Sequence, residues 1–292
     1  MIAAAHPFDW HLHVVWLVAL VALAVGYLRA TRRSGLAATG RQKLLFLTGV
    51  ILLAGALTWP LGDLASHWLL LALVLQRLLL TLAVPPLLVL GTPGPIIGRL
   101  TRPAAVDAVL RVAVRPVPAV AIVTVVAVGT LTVGVVSLAA HSIVARTLIQ
   151  LVVLASGFVL WAPVLTELPG TQRLSSLGRG GYLIVQSIVP SFLSIVWIFA
   201  RHPLYPSFTY RGTVAGMSPL LDQELAGFLA KLSTIAVLWT VAFVIMTRAQ
   251  TADSAGRDTD PLVWSDVERE LERADRRERR QPWWPGAPPP GS

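Results

Sequence analysis

Apolar residues in this chain fall into long continuous stretches separated by short polar connections. Seven such runs stand out, at 10–28, 44–61, 64–84, 116–140, 142–164, 181–200 and 225–246. Each is close to the roughly 20 apolar residues that an α-helix needs to cross a bilayer. The runs are continuous rather than alternating, which excludes a stranded membrane barrel. A soluble fold of this size has no core large enough to hide seven of them. The pattern predicts an all-α polytopic membrane protein with seven transmembrane helices in residues 1–247. A polar tail follows over 248–292. Runs four and five are separated only by a turn around His141 and Ser142.

Composition sharpens this. Of 292 residues, 55% are hydrophobic and only 13% charged, about half the charge of an ordinary soluble domain. The net charge is +9, and all of the excess lies before the tail, which is close to neutral. A soluble body with so few acids would suggest nucleic-acid binding, but the apolar runs exclude it. The cations read instead as topology. Arg29, Arg32, Arg33, Arg41 and Lys43 follow run one. Arg99, Arg102, Arg111 and Arg115 follow run three, Arg173 and Arg179 follow run five, and the tail carries further arginines. The opposite connections hold only Arg201 and Arg211. Positively charged connections stay in the cytoplasm, so the N-terminus is expected outside and the C-terminus inside, in a bacterial plasma membrane. Trp10, Trp59, Trp68 and Trp197 near the outer boundary fit an aromatic belt. Residues 1–28 contain no Lys or Arg, so run one reads as a retained span rather than a cleaved signal.

In the tail, 251–261 reads as a polar linker. Ser265 and Glu268 form a capping-box pattern that opens a charged helix to about Arg280. Residues 281–292 are Pro-rich and expected to be disordered.

Candidate chemistry is sparse. There is no Cys, so thiolate ligation and disulfides are excluded. Six His occur, and the expected topology puts all of them near the outer face. His11, His13, His67 and His202 are candidate metal ligands there, since imidazole suits copper, zinc and nickel. Without a metal they are interfacial His. Three cations interrupt the runs: Arg77, Arg146 and Lys231. Charges inside spans are functional candidates by default, although all three are close enough to a membrane face to snorkel. Arg77 is the most demanding, lying about 20 Å into run three at 1.5 Å per residue, with Gln76 beside it. Ser218 and Pro219 open run seven as N-cap and first helical residue. Asp222, Gln223 and Glu224 follow, and Asp222 and Glu224 suit the positive end of that helix. A carboxylate on the same side as the imidazoles is also a candidate for a metal shell. Lys231 in the last of seven spans invites a retinal-type reading, but the spans lack a buried carboxylate counter-ion. Pro190 in run six leaves a transporter open.

Four stretches together resemble a known family. They are Pro85-Pro86 followed by Leu87–Pro93 (LLVLGTP), Gly157–Leu165 (GFVLWAPVL), Pro203–Ser207 (PLYPS) with Tyr205 at its centre, and Asp222–Gly227 (DQELAG). In this order over seven spans they look like the CtaG-type cytochrome c oxidase assembly factors, covering about residues 8–248. The resemblance implies a non-enzymatic plasma-membrane protein that assists the copper centre of the oxidase, with oxidase subunits as partners. Copper is the one cofactor it suggests. The family pattern also implies a His-x-x-x-His pair before the double Pro and further His before the Gly-x-x-x-Trp-x-Pro stretch. Those positions fall at Leu73 and Arg77, and at Arg146 and Gln150. The chain resembles a divergent member that lost the copper, acting as a scaffold through protein contacts, or moved it to the outer His.

Overall fold

The computed structural model describes residues 14–33, 38–165, 174–208 and 216–258. His11, His13 and the capping box at Ser265 lie outside them. Among the described residues 87% are helical and none is in a strand. The chain divides into two units, 1–245 and 246–292.

The helices are α1 (Val14–Arg33), α2 (Gly40–Leu57), α3 (Leu61–His67), α4 (Leu70–Leu78), α5 (Val84–Gly91) and α6 (Gly94–Leu100). They continue with α7 (Ala104–Ala113), α8 (Pro116–Gly129), α9 (Val133–His141), α10 (Ile143–Leu165), α11 (Ser176–Phe199) and α12 (Pro219–Asp258). Among the described residues six spans are long and apolar enough to cross a membrane by themselves, with α2 and α3 forming one and α4 and α5 another through a π turn at Leu79–Ala83. A seventh exists if α7 and α8, bent by 97°, count as one.

Local chemistry explains several boundaries. Thr39 and Gln42 form a reciprocal capping box at the start of α2. The Ser218 hydroxyl accepts from the Leu221 amide at 3.2 Å, capping α12 as expected. α12 continues to Asp258, where a linker is expected from Thr251. Nothing between Met246 and Asp258 stops a helix: the segment has no Pro and contains good helix formers.

Run four departs most from expectation. It does not form one helix. α8 stops at Gly129, and α9 begins only at Val133. The break falls at Gly129-Thr130-Leu131-Thr132, where glycine and β-branched residues favour helix weakly. Run three is also displaced: its first part forms α3, and the span proper is Leu70–Gly91.

The core has three parts. Tyr27 stacks on Phe46 at 3.8 Å between α1 and α2, and its hydroxyl donates to the Gly91 carbonyl at 2.9 Å. Trp197, Tyr205, Phe208 and Ala226 join α11, the following loop and α12 to α4. Trp161, Tyr182, Leu183 and Leu238 join α10, α11 and α12. α10 closes on the π turn at Gly157. A Cβ there would lie 2.7 Å from both the Leu80 carbonyl oxygen and Pro85 Cγ. Outward faces stay apolar: Val15, Val18 and Val21 of α1 are 75%, 63% and 62% exposed. Water penalises so much contiguous apolar surface, and lipid does not.

Candidate functional site

The functional candidates converge on the breaks in the helices. An interrupted membrane helix leaves carbonyls that lipid cannot satisfy, so other protein groups must reach them. Arg77 on α4 does this for α8. Its terminal nitrogens donate to the Thr130 hydroxyl and, at 3.1 Å, to the Thr130 carbonyl. Its charge therefore sits at a helix C-terminus, the favourable end of the dipole. Arg77 does not snorkel: it is inside the bundle.

Tyr205 takes the next carbonyl. Its hydroxyl donates to Leu131 O at 2.6 Å and accepts from Trp197 Nε1 at 3.2 Å. Burial pushes this hydroxyl above the usual tyrosine range, against the opposing pull of the Trp197 N–H and the Arg77 charge. Gln223, 2% exposed, secures the same loop from α12. It accepts from the Leu204 amide at 2.7 Å and donates to the Trp197 carbonyl at 3.4 Å.

Asp222, 3% exposed, completes the arrangement from the neighbouring position. Its carboxylate oxygens accept from the Leu70 and Leu71 amides at 2.7 and 3.0 Å. Those amides are unsatisfied donors at the start of α4, and Leu69 supplies no side-chain cap. Asp222 thus caps a helix 152 residues away in sequence. Gln76 donates to the Ala56 carbonyl at 2.7 Å, tying α4 to the end of α2. Trp161 donates to Thr81 O at 3.0 Å and serves the π turn.

The second span cation also faces inward, against the snorkelling expectation. Arg146 on α10 donates to the Ala139 carbonyl at 3.1 Å and to the Ser66 hydroxyl at 2.8 Å. It also lies 3.2 Å from His67 Nε2. A guanidinium can only donate, so that nitrogen accepts and its lone pair is engaged. His67 closes α3 rather than opening a span. His202 is exposed, and Lys231 is half-buried on α12. Among the described residues no group of three His, Cys, Asp or Glu could hold a metal.

Leu73, Arg77, Arg146 and Gln150 line a single small cavity of about 20 Å³, together with Gln76 and Ser66. These four positions come from two helices 70 residues apart in sequence, α4 and α10. Two of them carry guanidinium groups.

Residues 8–251 match the model of the cytochrome c oxidase caa3 assembly factor family, Caa3_CtaG. The chain belongs to that family. No curated protein and no solved structure matches it. The stretches that carried the resemblance hold the assembly factor together: Gly157 and Trp161 at the π turn, Tyr205 at the α8 break, Asp222 and Gln223 across the loop and α4. Sequence reading placed Arg77, Tyr205, Asp222 and Gln223 among the candidates but could not see that they share one network. It missed Thr130, which carries no sequence signal beyond its neighbouring glycine.

Proposed function

We propose that this family member assists assembly of a copper-containing cytochrome c oxidase from within the bacterial plasma membrane. It works there through protein contacts, with a bundle interior closed to copper. One observation carries the last point. Leu73, Arg77, Arg146 and Gln150, the positions where the family pattern implies His, meet at one cavity. Two of them present guanidinium groups, which repel a metal cation and offer it no lone pair. Asp222 is committed to α4 and the His67 Nε2 to Arg146. Copper handling, where it occurs, falls to His11, His13 and His202 at the outer face. The distribution of Lys and Arg supports the N-terminus outside and the C-terminus in the cytoplasm. Membership of an assembly-factor family supports a non-enzymatic role.

The test is a deletion strain complemented with variants, scored by oxidase activity in isolated membranes. The native chain is expected to restore activity, and His67→Ala is expected to restore it as well. Copper analysis of the purified chain from copper-replete cells is expected to be unchanged by Arg77→Lys. Stoichiometric copper that persists after combined His6→Ala, His11→Ala, His13→Ala, His141→Ala and His202→Ala substitution would place copper inside the bundle and overturn this reading. Failure of the native chain to restore activity would remove the assembly role itself.

A further inference from the structure

A second cavity, of about 100 Å³, lies beside the α8 break among α4, α8, α10, α11 and α12. Its walls are mainly aliphatic, but Arg77, Thr130, Gln186 and Thr234 also line it. Two of these are incompletely satisfied. Arg77 Nε is buried without a hydrogen-bond partner, and so are both amide atoms of Gln186. Gln186 is 2% exposed. Leaving such groups unmade is expensive in a membrane interior. Buried polar atoms facing a cavity of this size draw solvent to them, and one water needs only about 10–15 Å³ of such space. There is room here for a small solute and accompanying water.

Charge decides which solute. Among the described residues no carboxylate pairs with Arg77. The α8 C-terminus offers roughly half an elementary charge of compensation. A whole guanidinium charge at membrane depth needs more than that. We propose that this cavity binds a small hydrated monoanion, halide or carboxylate, between the Arg77 Nε–H and the Gln186 side-chain N–H. An accompanying water donates to Gln186 Oε1 and to the anion. The site stands independently of the oxidase role, because it rests on the α8 break and not on copper.

The experiment uses the full chain in lipid nanodiscs in gluconate buffer, since the five hydroxyls of gluconate would lose their water against the mainly aliphatic walls. Bromide, formate and decanoate are titrated separately while thermal unfolding is followed. A ligand of the folded state raises the unfolding temperature saturably by mass action. Gln186→Leu removes an amide with no protein partner, so it is expected to fold as well as the native chain in gluconate. Its apparent affinity for the anion is expected to fall about tenfold or more. Arg77→Gln is expected to abolish the shift. Saturation by bromide or formate assigns the site to a free anion. Saturation by decanoate alone assigns it to the carboxylate head of an acyl chain. No saturable shift in the native chain overturns the proposal, and so does an unchanged affinity in Gln186→Leu. If Arg77→Gln does not fold, the Gln186→Leu comparison decides by itself.

Discussion

Arg77 spends its charge and two of its nitrogens on a neighbouring helix end. Lysine keeps the charge but not the planar fork, so Arg77→Lys is expected to destabilise the bundle and Arg77→Gln to do so more. A hydrogen bond from a charged group contributes about 1.5–3 kcal/mol, and thermal unfolding in nanodiscs checks the order. Asp222 is the complementary case. Asp222→Asn keeps one acceptor oxygen for the α4 amides, whereas Asp222→Ala keeps none. The alanine variant should lose about 1–3 kcal/mol for each buried amide left unpaired. The asparagine variant should fall in between. Equal stability of all three forms would show that water serves the start of α4 instead. Tyr205→Phe keeps the ring packed against Trp197 and Phe208 but leaves the Leu131 carbonyl unserved. The Trp197 N–H loses its acceptor as well, and a loss of about 1–3 kcal/mol for each buried partner left unpaired is expected on the same measurement. These side chains were visible in the sequence as polar residues in apolar surroundings. Their partners were not, because most of the partners are backbone groups and carry no sequence signature.

At the scale of elements, three of the breaks between helices stand out: the π turn between α4 and α5, the gap between α8 and α9, and the junction of α3 and α4. Each leaves backbone groups inside a membrane protein, and each is served by a side chain from a distant helix. Thr81 O is served by Trp161, Thr130 O by Arg77, and the Leu70 and Leu71 amides by Asp222. Close approach makes this possible. Gly157→Ala would drive a Cβ into the Leu80 carbonyl oxygen, and such overpacking costs about 1–3 kcal/mol. The expected outcome is a lower unfolding temperature together with loosened packing around Trp161, read as a red-shifted fluorescence component. The interruption of run four was illegible in advance. Its apolar count suffices for a full span, and hydropathy does not register that Arg77 and Tyr205 stand ready to serve freed carbonyls.

For the whole molecule, the proposed orientation makes a direct prediction. The chain has no Cys, so single cysteines can be read cleanly. In intact cells an impermeant maleimide should label Ala5→Cys, and should label Ser265→Cys only after permeabilisation. The reverse pattern would invert the topology. The candidate site lies toward one end of the bundle, where α3, α4, α9 and the loop after α11 meet. At that end Arg77, Arg146 and Asp222 are turned inward onto groups of the protein itself, while Arg201 and His202 of the loop after α11 are exposed.

The amino-acid sequence by itself determined the helical class, most of the membrane-crossing runs and the residues that stand out chemically. Apolar length and charge placement are local properties, and lipid enforces them segment by segment. Only the tertiary structure decided what those residues do. It turned Asp222 from a candidate ligand into a cap, made Arg77 the partner of a broken helix, and brought α4 and α10 to one cavity. Hydrogen bonds to backbone and meetings between distant helices depend on where the chain folds back, and hydropathy along the chain is the same whether or not they form.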